Sequence, residues 1–87
     1  MRVAAVDLGR VRIGLAVSDE LGLLAHPRRY LDGRNRAGAL ASLAGLVASD
    51  GVTEFLVGLP RTLRGEEGRA AKKAQQFAIA LRARTGV

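Results

Sequence analysis

A chain of 87 residues and 9.2 kDa has room for one domain, near the lower size limit of a self-sufficient core. Apolar residues make up 48%, but fifteen are alanine and the only aromatics are Tyr30, Phe55 and Phe77, so the core must be built from Val, Leu, Ile and Ala at close approach. No cysteine and a single histidine, His26, exclude a disulfide framework, a thiolate metal site, a cysteine nucleophile and a multi-histidine zinc site within one chain.

The net charge of +6 is unevenly placed. Residues 1–36 carry +3, residues 37–60 carry −2 and residues 61–87 carry +5. Two basic ends around an apolar middle fit a surface that faces a polyanion. They fit equally a chain that uses arginine wherever a solvated charge is tolerated. No apolar run reaches membrane-spanning length, and the start at Met1-Arg2 lacks a signal-peptide layout. The expectation is a cytoplasmic chain with no membrane partner.

In chain order, Arg2 to Asp7 (RVAAVD) reads as a central strand apolar on both faces. Gly9, free to take positive φ, marks a turn. Arg12 to Ser18 (RIGLAVS) is a second strand, with Gly14 as a close-approach point. After a turn at residues 19–22, Leu23 to Leu31 (LLAHPRRYL) reads as a third strand, and Pro27 places it at an edge. Three strands joined by tight turns make an antiparallel meander.

Asn35 is a candidate N-cap for a helix over Ala37 to Ala48, with Leu40, Leu43, Ala44 and Val47 on one face and Gly51 as the stop. That helix is apolar enough to be covered on more than one side or to contact a partner. Thr53 to Gly58 (TEFLVG) is a fourth strand, parallel to an earlier one because a helix separates them. A loop punctuated by Pro60 and Gly65 leads to a second helix over Glu66 to Arg84. Its apolar stripe is Ala70, Ala74, Phe77, Ala78 and Leu81, and Glu66 and Glu67 in the first turn suit the helix dipole.

Asp7-Leu8-Gly9 followed by Arg12-Ile13-Gly14 carries the strongest chemical signal. A carboxylate at the C-terminal end of a central strand is a hard oxygen ligand, and a divalent cation there can bridge phosphate oxygens and activate water. The glycines leave room for a phosphate. The competing reading is a side-chain hydrogen bond within a common D-x-G turn. Gly58 and Pro60 end the fourth strand beside the first, where ligands favour open parallel sheets. Arg10, Arg12, Arg61, Arg64 and Arg69 cluster by sequence position around this end and are candidate phosphate contacts. With so few aromatics, stacking on bases contributes little, so binding should be steeply salt-dependent. His26, beside Pro27 and without a partner, is expected to be an ordinary, partly exposed histidine.

Asp7-Leu8-Gly9, residues 12–19 (RIGLAVSD), Gly58-Leu59-Pro60, and Gly65 with Glu67-Gly68 resemble the YqgF family, also called RuvX, along the whole chain and in order. Its members carry two names, Holliday junction resolvase and pre-16S rRNA nuclease. The resemblance implies an α/β, RNase H-like fold: a mixed sheet opening with an antiparallel three-strand meander, then a crossover helix, a parallel fourth strand and a second helix, with helices on both faces. It implies that Asp7 is the first catalytic, metal-binding carboxylate, with Mg²⁺ or Mn²⁺ as cofactor and structured RNA or branched DNA as substrate. The family's later carboxylates follow a fifth strand and have no counterpart here, so residues 1–87 are expected to form one incomplete domain. Arg64 stands where the family commonly has an acid.

Three functions follow as expectations. The first is a metal-dependent nuclease, in 5′-end processing of pre-16S rRNA or in junction resolution. The second is a non-catalytic nucleic-acid-binding or interaction module, favoured by the missing carboxylates. The third is the phosphate-binding half of an actin-like ATPase, which also opens with a strand, a D-x-G turn and a hairpin. The unpaired fourth strand, with Phe55, Leu56 and Val57, predicts a homodimer through that edge or by exchange of an element.

Overall fold

The computed structural model describes residues 1–58 and 68–87. The chain is α/β: five strands form one mixed sheet and two helices pack on it. Strand β1 (Arg2–Leu8) pairs antiparallel with β2 (Arg12–Ser18), placing Asp7 opposite Gly14 and Leu8 opposite Ile13. Two short strands, β3 (Ala25–Pro27) and β4 (Leu31–Asp32), both pair antiparallel with β2. Helix α1 (Arg36–Asp50) leads to β5 (Val52–Val57), which runs parallel to β1, and α2 (Arg69–Thr85) follows. The spatial order is β3-β2-β1-β5, so the meander, the crossover helix and the parallel strand all stand as expected.

The third strand differs from its expected continuous course over 23–31. Between the pairs Ala16–Pro27 and Ile13–Leu31, residues 28–30 oppose only residues 14–15, which makes a bulge that splits the strand. The Arg28 N–H still donates to Leu15 O at 2.8 Å across the break. Pro27 sits on the outermost strand, where its missing N–H leaves no ladder bond unmade. His26, opposite Val17 in β3, is exposed.

Alternation along β1 sorts the sheet into two unlike faces. Ala4 and Val6 are buried with Val17 and Ile13 of β2, whereas Ala5 and Asp7 are exposed. Ala39 and Leu43 of α1 and Phe77 and Leu81 of α2 form one cluster with Val6 and Ile13. Both helices therefore cover the same face, and the expectation of a first strand buried on two faces is corrected. Apolar alternation misleads here because the exposed partners of the buried set are small, Ala5 among them.

Helix α1 starts where its capping residue requires. The Asn35 side chain accepts from the Gly38 N–H at 2.9 Å, and Gly51, at φ +70°, ends the helix with its N–H on Leu46 O. The buried face runs through Ala39 and Leu43, not through the full stripe expected, and the outward positions are small: Ala37, Ala41, Gly45 and Ala48 are exposed. That helix leaves no large apolar surface open. Arg28 pairs with Asp50 at 2.7 Å, tying the sheet edge to the last residue of α1. The Ser49 hydroxyl and then Arg28 hold the Asp50 carboxyl below its usual range. Helix α2 buries Ala71, Ala74, Phe77 and Leu81. It begins at Arg69 behind Gly68, so Glu66 and Glu67, expected in its first turn, lie outside the described residues.

Candidate functional site

Asp7 lies at the C-terminal end of β1, on the face opposite the helices. It is exposed. Its two lateral neighbours carry no side chain. Gly14 faces it across β2, and Gly58 follows β5, its N–H donating to Val6 O at 2.9 Å. A Cβ built at Gly14 would lie 4.0 Å from Asp7 Oδ2, and one at Gly58 would lie 3.9 Å from Oδ1. The carboxylate thus stands between two stretches of bare backbone.

The turn reading of Asp7 fails on comparison with other aspartates of the same chain. Asp19 accepts from the Leu23 N–H at 2.9 Å, and Asp32 accepts from the Arg34 N–H at 2.9 Å and from Arg34 Nε at 3.1 Å. Those backbone donors hold both carboxyls below their usual range, the Leu23 N–H for Asp19 and the Arg34 N–H for Asp32. Among the described residues no donor occupies Asp7 in this way.

The surroundings fit one hard divalent cation in part of its shell. Mg²⁺ keeps several waters and uses one or two carboxylates together with substrate phosphates. Asp7 supplies one such carboxylate, and the volume that side chains at Gly14 and Gly58 would fill is free for waters and a phosphate. Among the described residues no three His, Asp or Glu side chains converge on one point. Glu54 stands opposite Val3 and Asp19 follows the far end of β2, both away from Asp7.

The glycines of the D-x-G segment divide by role. Gly9 does not use positive φ, which among the described residues belongs to Gly22, Gly51 and Gly86. It is required by its packing: a Cβ at Gly9 would lie 2.3 Å from Arg12 O. Gly33 is wedged likewise, with a Cβ 2.6 Å from Gly9 O. Gly14 is under no such pressure, since its Cβ would meet Asp7 Cβ at 3.5 Å, an ordinary van der Waals separation. Gly9→Ala and Gly33→Ala are therefore expected to lose at least about 1–3 kcal/mol from overpacking, and Gly14→Ala to fold normally while crowding Asp7. Urea denaturation of the three variants checks this; a Gly14→Ala protein as unstable as Gly9→Ala would be the contrary result.

The candidate phosphate contacts separate into two groups. Arg12 lies on the strand of Gly14, its guanidinium 5.5 Å from the Tyr30 ring centre. Arg10 and Arg69 line a cavity of about 670 Å³ on the helix side of the sheet, and there they meet Arg36 and Lys73. Pro60, Arg61, Arg64 and Gly65 lie outside the described residues. Sequence reading missed Arg36 and Lys73, although a signal existed: Arg69, Lys73 and Gln76 recur at helical spacing beside the apolar stripe.

Residues 1–87 match the family model described as RuvX, Holliday junction resolvase. The chain belongs to the RuvX family. It is 45% identical over its whole length to a protein of Anaeromyxobacter dehalogenans strain 2CP-1, covering 64% of that relative. It is 48% identical over 82 residues to a protein of Rubrobacter xylanophilus, covering 94% of this chain and 57% of the relative. With a Streptomyces coelicolor protein it shares 46% over 76 residues, 87% of this chain and 46% of the relative. All three are named provisionally as pre-16S rRNA nucleases. This RuvX chain thus spans between 46% and 64% of the length of these curated relatives. Among its described residues no helix is long and apolar enough to cross a membrane.

Proposed function

We propose that this chain belongs to a metal-dependent nuclease of RNase H-like fold, which cleaves phosphodiester bonds in structured RNA, with 5′-end processing of pre-16S rRNA as the reaction. The observation that carries the reading is the bare surround of Asp7: an exposed strand-end carboxylate with Gly14 and Gly58 on either side. Membership of RuvX and the names of the relatives support the choice of nucleic acid as substrate. Residues 1–87 are taken as one structural unit of that enzyme.

Asp7 would hold Mg²⁺ or Mn²⁺ through its carboxylate oxygens. When bound, the cation neutralises phosphate charge and lowers the pKa of a coordinated water. Gly14 and Gly58 admit the phosphodiester to the carboxylate without a steric barrier. Arg12, on the adjacent strand, steers the polyanion toward that end of the sheet. The test, on the whole enzyme of which residues 1–87 are a unit, is cleavage of a pre-16S rRNA fragment and of a four-way DNA junction with Mg²⁺ or Mn²⁺, with Asp7→Asn as control. Metal-supported cutting of the RNA and not of the junction is the expected result; failure to cut either substrate overturns the reading.

A homodimer is part of the same proposal. Strand β5 ends the sheet order, and Leu56 on it is 56% exposed beside the exposed Ala5. Phe55 and Val57, expected on the open edge, pack toward the core instead, so Leu56 and the unpaired backbone are what a second copy would cover. Light scattering at micromolar concentration is expected to give twice the chain mass, and Leu56→Lys to return it to the single mass. A parent protein that is monodisperse at the single mass removes the dimer.

A further inference from the structure

The cavity on the helix side of the sheet is lined by Arg10, Arg36, Arg69, Lys73 and Gln76, above an apolar floor that includes Ile13 and Phe77. Four cations gather there, and among the described residues no carboxylate lies within 4 Å of their nitrogens. Arg36 and Arg69 are the first residues of α1 and α2, and neither helix has an acid in its first turn. Cations at the positive ends of two helix dipoles repel the local field, and an anion in the cavity would relieve both. The wall offers guanidinium forks and an ammonium, which match phosphate oxygens in the way bidentate donors do. Arg36 is steadied by the Phe77 ring, 5.8 Å from its guanidinium carbon to the ring centre.

The volume of about 670 Å³ exceeds what a lone phosphate needs and lies in the range of pockets that take nucleotide-sized ligands. Phe77 is only 3% exposed, so its ring is not a stacking platform for a base. Recognition therefore falls on charge and not on base identity.

We infer that this cavity holds a phosphate of a single-stranded nucleic-acid segment, on the opposite face of the sheet from Asp7. Leu8 and Ile13, which line it, follow the Asp7–Gly14 pair by one step and point the other way. A strand anchored there bends around the end of β1 to reach the carboxylate. The inference rests on the nuclease reading only for the carrier of the phosphate; the anion site itself stands on the cavity.

The experiment is equilibrium binding of a fluorescent single strand of about ten nucleotides to the full chain, in EDTA, across a range of salt. Arg36→Gln combined with Lys73→Gln is compared with a charge-matched pair at the far end of α2, Arg82→Gln with Arg84→Gln. Thermal unfolding first establishes that each protein folds; Lys73→Gln alone serves if the double variant does not. The cavity pair is expected to weaken binding about tenfold and to lower the salt slope by about 0.7, the share of the one single-strand phosphate that is no longer neutralised. The far pair is expected to change affinity less than about twofold. Binding equal to the parent in the cavity pair, equal weakening in both pairs, or no binding by the parent each overturns the site. A preference for a 5′-phosphorylated strand that vanishes in the cavity pair assigns a terminal phosphate, and equal weakening with 5′-hydroxyl strands assigns an internal one. Because EDTA removes the need for cleavage, a protein that binds in this pattern but does not cut with Mg²⁺ loses only the nuclease reading.

Discussion

Asp7→Asn is expected to lower Mg²⁺-supported cleavage by about 100-fold or more while leaving the fold intact. Loss of a residue that merely orients a metal ligand costs about 10–100-fold, so loss of the ligand's own charge costs at least the upper end of that range. Asparagine keeps the shape of aspartate and removes the anionic oxygen that a hard cation requires. Stability should barely change, because Asp7 is exposed and no described donor depends on it. A surface replacement of this kind stays within about 0.5 kcal/mol, which for a chain of this size moves the thermal midpoint by no more than about 2–4 °C. Cleavage rates and a thermal melt on the same preparation check both halves. Undiminished cleavage would remove Asp7 from the site, and a large loss of stability would make it a structural residue.

That position is legible in the sequence because three signals coincide at it. An apolar strand ends there, a carboxylate terminates it, and glycines flank the next turn. The strand order is legible for a similar reason: short apolar runs separated by turns give a meander, and a helix between strands forces a parallel pairing. What is not legible has physical causes. RVAAVD offers alanine and valine at alternate positions, and alanine is equally at home on a covered or an open face, so the one-sided burial of β1 leaves no mark. The bulge opposite residues 14–15 depends on which carbonyl the Arg28 N–H finds, a tertiary choice that LLAHPRRYL does not announce. Gly9 reads as a conformational glycine, yet its constraint is the approach of Arg12 O, which arises only once β2 is paired. Arg36 and Lys73 read as solvated charge because each is ordinary on its own helix. They become a cluster when the starts of α1 and α2 are brought to the same end of the sheet.

Phe77→Ala is expected to cost about 3–5 kcal/mol, the range for truncating a buried aromatic. At roughly 0.05–0.15 kcal/mol per residue an 87-residue chain holds about 4–13 kcal/mol in total. The single change therefore removes about a quarter of the stability at one extreme and all of it at the other. The reason lies in where the ring sits: it is 3% exposed and shares one cluster with Val6 and Ile13 of the sheet and Ala39 and Leu43 of α1, so it joins three elements at once. No other ring does this, because Tyr30 is exposed and Phe55 lies on the edge strand and is only partly buried. Urea denaturation followed by circular dichroism measures the loss, and a cost below about 1.5 kcal/mol would mean that the neighbours close over the gap. Phe77→Leu separates packing from charge. Leucine keeps most of the buried area and costs roughly 1–2 kcal/mol, so the protein stays folded, but it removes the π face beneath Arg36. A folded Phe77→Leu protein with weakened single-strand binding would show that the core ring also positions the cation above it. Unchanged binding would show that Arg36 is held by the helix start alone.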